Sequence, residues 1–328
     1  MKKRKMKLWK KIIIGLFAII VFAIGGTLGY TFWQLDKMDT TTISKSDEDL
    51  GIKTKSDEEK TVESKVTNIA LFGVDRRNKN EAARSDSIMI LSIDEKSKKI
   101  KMSSIMRDTY VNVNGHGKTK ITHAYAYGGP LLAIRTLNEN FDMDIRNYVT
   151  VDFFNLEKII DAIGGVTVDV QNNEVGLINS YMNETAGIQN KSISRISGSG
   201  SQNLNGMQAV AYTRIRYTAG DDFVRTERQR TVLSGMLTEI QSLGVKEFPA
   251  VVSELLPLTE TSMNAIDIIK LGTKVFTSNI KTLDQARFPI DGFWEGQTID
   301  KVWYLVAKMD ATIDQLHKYI YEDIKPGK

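Results

Sequence analysis

Two carboxylates and a set of arginines stand out as residues equipped for chemistry. Asp75 follows one apolar run, Arg84 and Asp86 precede a second, and Arg107 and Asp108 follow a third. Paired carboxylates make a hard oxygen site suited to Mg²⁺, which takes one or two carboxylates plus phosphate oxygens. Guanidinium groups match phosphate oxygens bidentately. A second set comes later: Arg214 and Arg216 flank Ile215, and Arg225 and Gln229 stand four positions apart. In an extended segment Arg214 and Arg216 point the same way. Four-residue spacing puts Arg225 and Gln229 on one face of a helix that Asp222 is placed to cap. Arginines in the first turns of a helix favour an anion. Spacing alone leaves the ordinary alternatives open, loop ion pairs for the first set and a solvated helix face for the second.

Other chemistries drop out by composition. The 328 residues include no cysteine and 3 histidines. Disulfide frameworks, thiol nucleophiles, zinc–thiolate sites and iron–sulfur clusters are therefore excluded, and so are His-rich metal sites. Gly117-Lys118-Thr119 resembles the end of a phosphate-binding loop, but position 112 is Asn where that loop needs Gly. No Gly-x-Ser-x-Gly, His-Glu-x-x-His or dinucleotide glycine pattern is present. His116 and His123 lie in polar, loop-like surroundings and read as surface or packing residues. The net charge is +4, but seven basic residues fall within the first eleven positions, so everything after Lys11 carries −3. That distribution does not make a nucleic-acid surface.

The elements that must position the charged residues follow from apolar patterning. Runs at 68–74, 87–93 and 99–105 read as strands, with a charged turn at 94–98. If the three form a meander, the exits of the first and third share one sheet end with the start of the second. Asp75, Asp86, Arg84 and Arg107 then converge, although they are separated by 11 positions (Asp75 to Asp86) and 23 (Arg84 to Arg107). Helical spacing appears at 130–140, 153–163, 205–212, 224–243, 265–276 and 301–319, and a further strand at 166–170 follows Gly164-Gly165. In 224–243, Val232, Leu233, Met236, Leu237, Ile240 and Leu243 make one apolar face. The fold class expected is α/β (α+β), a single three-layer domain with a central mixed sheet flanked by helices.

Ahead of that body the chain divides into a basic tail (1–11), an uncharged span (12–33) and a polar, charge-rich linker (34–65); the body itself is 66–328. The span is 22 residues, roughly 33 Å as a helix against a hydrocarbon thickness of about 30 Å. It is longer than a signal-peptide core and no Ala-x-Ala follows, so an uncleaved transmembrane anchor is expected. The positive-inside rule keeps the tail in the cytoplasm and the body outside. As a coil the linker reaches about 30 Å.

Six segments, in order, resemble the LytR-CpsA-Psr family: Phe72-Gly73-Val74-Asp75, Arg84-Ser85-Asp86-Ser87-Ile88, Ser104-Ile105-Met106-Arg107-Asp108-Thr109, Tyr127-Gly128-Gly129-Pro130, Ile160-Asp161-Ala162-Ile163-Gly164-Gly165-Val166 and Asp222-Phe223-Val224-Arg225-Thr226-Glu227-Arg228-Gln229-Arg230. They span roughly half the chain, from Asn68 to Leu233, and the family usually has Pro where Met106 stands. The resemblance implies a single-pass type II protein of a Gram-positive cell membrane with its catalytic domain outside. It implies transfer of a glycopolymer, such as wall teichoic acid or capsule, from undecaprenyl pyrophosphate to a peptidoglycan hydroxyl through a phosphodiester. By the same resemblance Asp75 and Asp86 hold Mg²⁺. Arg84, Arg107, Arg214, Arg216 and Arg225, with Gln229, bind the pyrophosphate, and Asp222 orients the arginines. Two other readings fit the same residues: a non-catalytic polyprenyl-phosphate binder that regulates the envelope, and a pyrophosphatase using water as acceptor.

Overall fold

The structure is a computed structural model and describes residues 41–54, 65–76, 83–216 and 221–327. The expected tail, the expected anchor and residues 34–40 and 55–64 of the expected linker lie outside the described residues. Among the described residues no helix is long and apolar enough to cross a membrane.

The chain opens with strands β1 (Val66–Val74), β2 (Ser85–Asp94) and β3 (Lys99–Ile105), then a hairpin of β4 (Tyr110–Val113) and β5 (Gly117–Lys120). Helix α1 (Thr122–Phe141), β6 (Asn147–Asp152) and α2 (Phe153–Ala162) follow. Next come β7 (Val166–Val170), α3 (Asn172–Gln189), β8 (Gly200–Leu204), α4 (Gly206–Arg214), α5 (Asp221–Leu243) and α6 (Phe248–Leu255). The last quarter holds β9 (Glu260–Thr261), α7 (Ala265–Thr277), β10 (Thr282–Phe288), a hairpin of β11 (Trp294–Ile299) and β12 (Val302–Ala307), and α8 (Met309–Tyr321).

The central sheet is mixed, in the order β10-β3-β2-β1-β6-β9. The expected meander is its middle: β2 lies antiparallel between β1 and β3, while β6 runs parallel to β1 and β10 parallel to β3. Alternation then sorts side chains to two faces. Ala70, Phe72, Val74, Ile88 and Ile90 enter one core with Ile134 and Leu137 of α1 and Leu316 of α8. Leu71, Met89 and Val149 sit on the opposite face beneath α2 and α5. Helices thus cover both faces, the three-layer arrangement expected.

Three expectations change. Residues 41–54, read as linker, pack on the body: Leu50 is fully buried, Ile43 and Ile52 lie against the same core, and Asn138 Nδ2 donates to the Leu50 carbonyl at 2.9 Å. Burying one such leucine is worth about 1.5–3 kcal/mol, enough for a few apolar residues to dock a polar segment. The helix expected at 301–319 is strand β12 followed by α8, because Val302, Trp303 and Tyr304 suit a strand better than a helix. Helix α1 begins earlier than 130 but bends at Gly128 and Gly129, where φ at Gly129 is +62°. Its regular part starts at Pro130, a residue suited to a first helical position.

Gly164 and Gly165 both have positive φ, 87° and 98°, and they turn the chain from α2 into β7 as expected.

Candidate active site

The C-terminal ends of β1 and β3 and the start of β2 share one end of the sheet. The β1–β2 register explains how Asp86 is presented there. Gly73 pairs with Ser87 and Val74 with Ser85, so Asp86 is the extra residue of a β-bulge. A bulge re-aims a side chain and takes its backbone groups out of the ladder. Here the freed Asp86 carbonyl accepts from Arg225 Nη2 at 3.2 Å.

Arg107, two residues past β3, sits among carboxylates. Its Nη1 is 2.6 Å from Asp86 Oδ1, its Nη2 3.2 Å from Asp222 Oδ1, and its Nε 3.6 Å from Asp108 Oδ2. Asp222 Oδ1 also takes Arg225 Nη2 at 2.9 Å, and Arg216 Nη2 lies 3.7 Å from Asp86 Oδ2. Burial works against the charge of Arg107, but Asp222, Asp86 and Asp108 outweigh it and hold its pKa above the ordinary arginine value. Arg225 is only 2% exposed. Its burial, with Arg107 and Arg216 nearby, pulls its pKa below the ordinary value. Donors are left over: Arg107 Nε and Arg225 Nε are buried without a hydrogen-bond partner, as is Asp222 Oδ2. Two guanidiniums in a low-dielectric site with unmade hydrogen bonds suit an incoming oxyanion.

The structure therefore brings together Asp86, Arg107, Arg216, Asp222 and Arg225. Asp75, exposed, immediately follows β1, and Arg84, exposed, immediately precedes β2. Neither makes an ion pair among the described residues. Asp222 lies within the first turn of α5 and uses its carboxylate on Arg107 and Arg225 instead of capping the helix. Arg214 departs from expectation. It ends α4, so the two-residue alternation of a strand does not apply to it. It pairs instead with Glu184 at 3.1 Å and Thr185 at 3.0 Å on α3, over the Tyr181 ring.

Beside the charged cluster is an apolar cavity of about 240 Å³. Leu71, Met89 and Val149 form its floor, and Val232, Leu233, Met236 and Ile240 of α5 line it from above. Ser87, next to Asp86, and Gln229, one turn beyond Arg225, give it a polar rim. Four of the six residues in the apolar stripe read along α5 therefore face this cavity. Lys120 and His123 were not singled out for the site. Lys120 Nζ is 2.6 Å from Asp108 Oδ1. Burial, then the charges of Arg84 and Lys120, lowers the pKa of His123. Neither residue stands in a spacing pattern that would have marked it.

Among the described residues no group of three or more His, Cys, Asp or Glu is arranged to hold a metal. Of the two carboxylates expected to hold Mg²⁺, Asp75 is exposed and makes no ion pair among the described residues, whereas Asp86 is engaged by Arg107 and Arg216.

Comparison with known proteins bears directly on this arrangement. The model of the LytR_cpsA_psr family matches residues 34–319. The chain belongs to that family. A curated relative, the polyisoprenyl-teichoic acid–peptidoglycan teichoic acid transferase TagT of Bacillus subtilis (strain 168), is 34% identical over 248 residues, 74% of each protein. The solved structure of TagT bound to LI-WTA superposes with a TM-score of 0.65 at 24% identity, covering 86% of this chain and 98% of that one. YwtF (TagT) with bound octaprenyl pyrophosphate lipid gives a TM-score of 0.62 at 23% identity, with the same coverage. These two likenesses establish the fold. Within the family frame, the bulge at Asp86 and the docking of Arg107 between Asp86 and Asp222 are features of this chain's own geometry.

Proposed function

We propose that the protein is a phosphotransferase that moves a glycopolymer from a polyprenyl-pyrophosphate carrier onto a peptidoglycan hydroxyl. The observation that carries this reading is an arginine cluster beside an apolar cavity, with Ser87, next to Asp86, and Gln229, one turn beyond Arg225, lining that cavity. A diphosphate joined to a long hydrocarbon has that same division of polar and apolar parts. Kinship with a relative named as a teichoic acid transferase points the same way.

The reaction divides among the chain's own groups. Arg107, Arg216 and Arg225, with Arg84 at the strand edge, bind the diphosphate oxygens. Asp86 and Asp222 hold Arg107 and Arg225 in place before substrate arrives, so little reorganisation is needed. The lipid tail lies along Leu71, Met89, Leu233 and Met236. The acceptor oxygen bonds to the sugar-bearing phosphorus, the bond to the bridging oxygen breaks, and lipid phosphate leaves with that electron pair while the hydroxyl proton is released. Such transfers depend chiefly on positioning and charge stabilisation. Asp75 and Asp86 would hold Mg²⁺, which when bound supplies further charge neutralisation at the phosphates. In this proposal 12–33 anchors the chain with the body outside the membrane.

The test is reconstitution of full-length protein with a polyprenyl-pyrophosphate-linked saccharide and peptidoglycan. Covalent transfer that depends on Arg107 is expected. Binding of the lipid with no product would instead favour the regulator, and release of free saccharide phosphate without acceptor would favour the pyrophosphatase.

A further inference from the structure

Beyond Arg107 the chain builds a surface that the phosphate chemistry does not use. Asp108 reaches from Arg107 to Lys120 on the β4–β5 hairpin, at 3.6 and 2.6 Å respectively. Lys120 Nζ in turn lies 5.9 Å from the ring centres of both Trp303 and Tyr304 on β12. The two hairpins are joined beside it. Thr109 bridges to Leu305, Leu305 N donates to the Asp108 carbonyl at 3.0 Å, and the rings of Tyr110 and Tyr304 meet at 4.6 Å.

Trp303 is 44% exposed and Val302 41%. Apolar side chains exposed singly are ordinary, whereas a contiguous exposed patch of them marks a contact site. Gly296 across the hairpin shows how the indole is seated: a Cβ there would stand 2.8 Å from Trp303 Nε1. The absent side chain lets the indole lie close against β11. At the turn of the β4–β5 hairpin, His116 stacks at 4.3 Å on Tyr127 of α1, which is 48% exposed.

We infer that this ledge of Trp303, Tyr304, Tyr110 and Lys120 docks the glycan strand of the acceptor. The inference rests on the phosphotransfer reading above and adds the acceptor's subsite to it. Pyranose rings present C–H faces that suit the electron-rich face of an aromatic ring, and the polar tips of Tyr and Trp serve the hydroxyl and acetamido groups. Lys118, exposed on β5, meets the carboxylates that branch from such a strand. Position selects acceptor over donor. The cavity for the lipid is floored by β1, β2 and β6, whereas the ledge hangs from the exit of β3. In-line displacement needs the attacking hydroxyl opposite the departing lipid phosphate. Arg107, at the head of the chain Arg107–Asp108–Lys120, links the two.

The experiment sediments full-length protein, in detergent, with sacculi stripped of attached polymers, and separately titrates it with octaprenyl pyrophosphate. Trp303→Ala is expected to weaken sacculus binding about tenfold, the loss typical of a central aromatic anchor. It should raise KM for the acceptor with kcat at saturating acceptor and lipid affinity unchanged. Trp303→Phe should retain most of the binding, and Tyr127→Ala should give a smaller loss. Unchanged sedimentation of a folded Trp303→Ala protein overturns the inference, as does a parallel loss of octaprenyl pyrophosphate affinity, which would assign the ledge to the lipid diphosphate. Failure of the phosphotransfer reading looks different: wild-type protein would form no phosphodiester yet still bind sacculi through Trp303.

Discussion

Arg107 touches three carboxylates, and two of them serve a second arginine: Asp86 is 3.7 Å from Arg216, and Asp222 is 2.9 Å from Arg225. Removing Arg107 therefore takes away the donor proposed for the phosphates and loosens its neighbours. Arg107→Ala should lower kcat by about 10²–10³, the range for loss of one preorganised donor, in a single-turnover transfer assay. Arg107→Lys should recover little, because a point charge cannot span Asp86 and Asp222 with a planar fork. Near-wild-type transfer by either variant contradicts the assignment. Arg228, three positions beyond Arg225, does a different job. It pairs with Glu174 at 2.7 Å with both side chains buried, and its Nη1 donates to the Ile215 carbonyl at 3.2 Å, just before Arg216. Arg228→Ala strands a buried carboxylate and should cost about 3–5 kcal/mol in denaturant unfolding, with lipid affinity of the folded protein little changed. These roles separate two arginines that look alike in sequence. Arg107 was legible because a strand ends two residues before it. The structural use of Arg228 depends on α3, which no sequence pattern had signalled.

At the scale of elements, the bulge in β2 and the stripe on α5 together make the site. The stripe was readable as helical periodicity, and Val232, Leu233, Met236 and Ile240 do share a face. That this face covers a cavity instead of closing on the sheet follows from what lies beneath: Gly73 and Ser87 are small, leaving room beside Leu71, Met89 and Val149. Leu233→Trp fills part of that volume. Titration with octaprenyl pyrophosphate should show at least about a tenfold loss of affinity, while binding of inorganic pyrophosphate is preserved. Equal loss for both probes would mean that the tail does not use the cavity. The helix expected over 301–319 failed for a related reason. Its first residues are β-formers whose strand partner, β11, supplies the ladder. Periodicity in a single segment cannot register a partner.

Across the whole molecule, the last quarter completes what the first half begins. Strand β10 pairs parallel to β3 from Thr282–Lys99 to Phe288–Ile105, supporting the strand from which Arg107 emerges. Lys101 in β3 is fully buried between Asp94 and the Ile320 carbonyl of α8. Burial opposes the charge of Asp94, but hydrogen bonds from Ser97 and Lys101 prevail and hold its pKa below the ordinary value. A carboxyl whose native pKa is depressed stabilises the fold above its unfolded value, about 3.9, and that contribution disappears as pH falls through the lower native value. His123, also depressed, adds the same sign from about pH 6.5 downward. Thermal melting should therefore shift down steadily from pH 7 to pH 3. A rise in Tm on acidification would contradict this account.

The sequence by itself determined the meander, the strand ends that carry Asp75, Asp86 and Arg107, and the helix face shared by Arg225 and Gln229, because these depend on local periodicity and nearby pairing. Tertiary structure decided the rest. It turned Arg214 onto α3, docked residues 41–54 on the core, inserted β10 beside β3 and raised the Trp303 ledge next to the arginines. Each of those outcomes depends on contacts between segments far apart in the chain, whose energies no local pattern encodes.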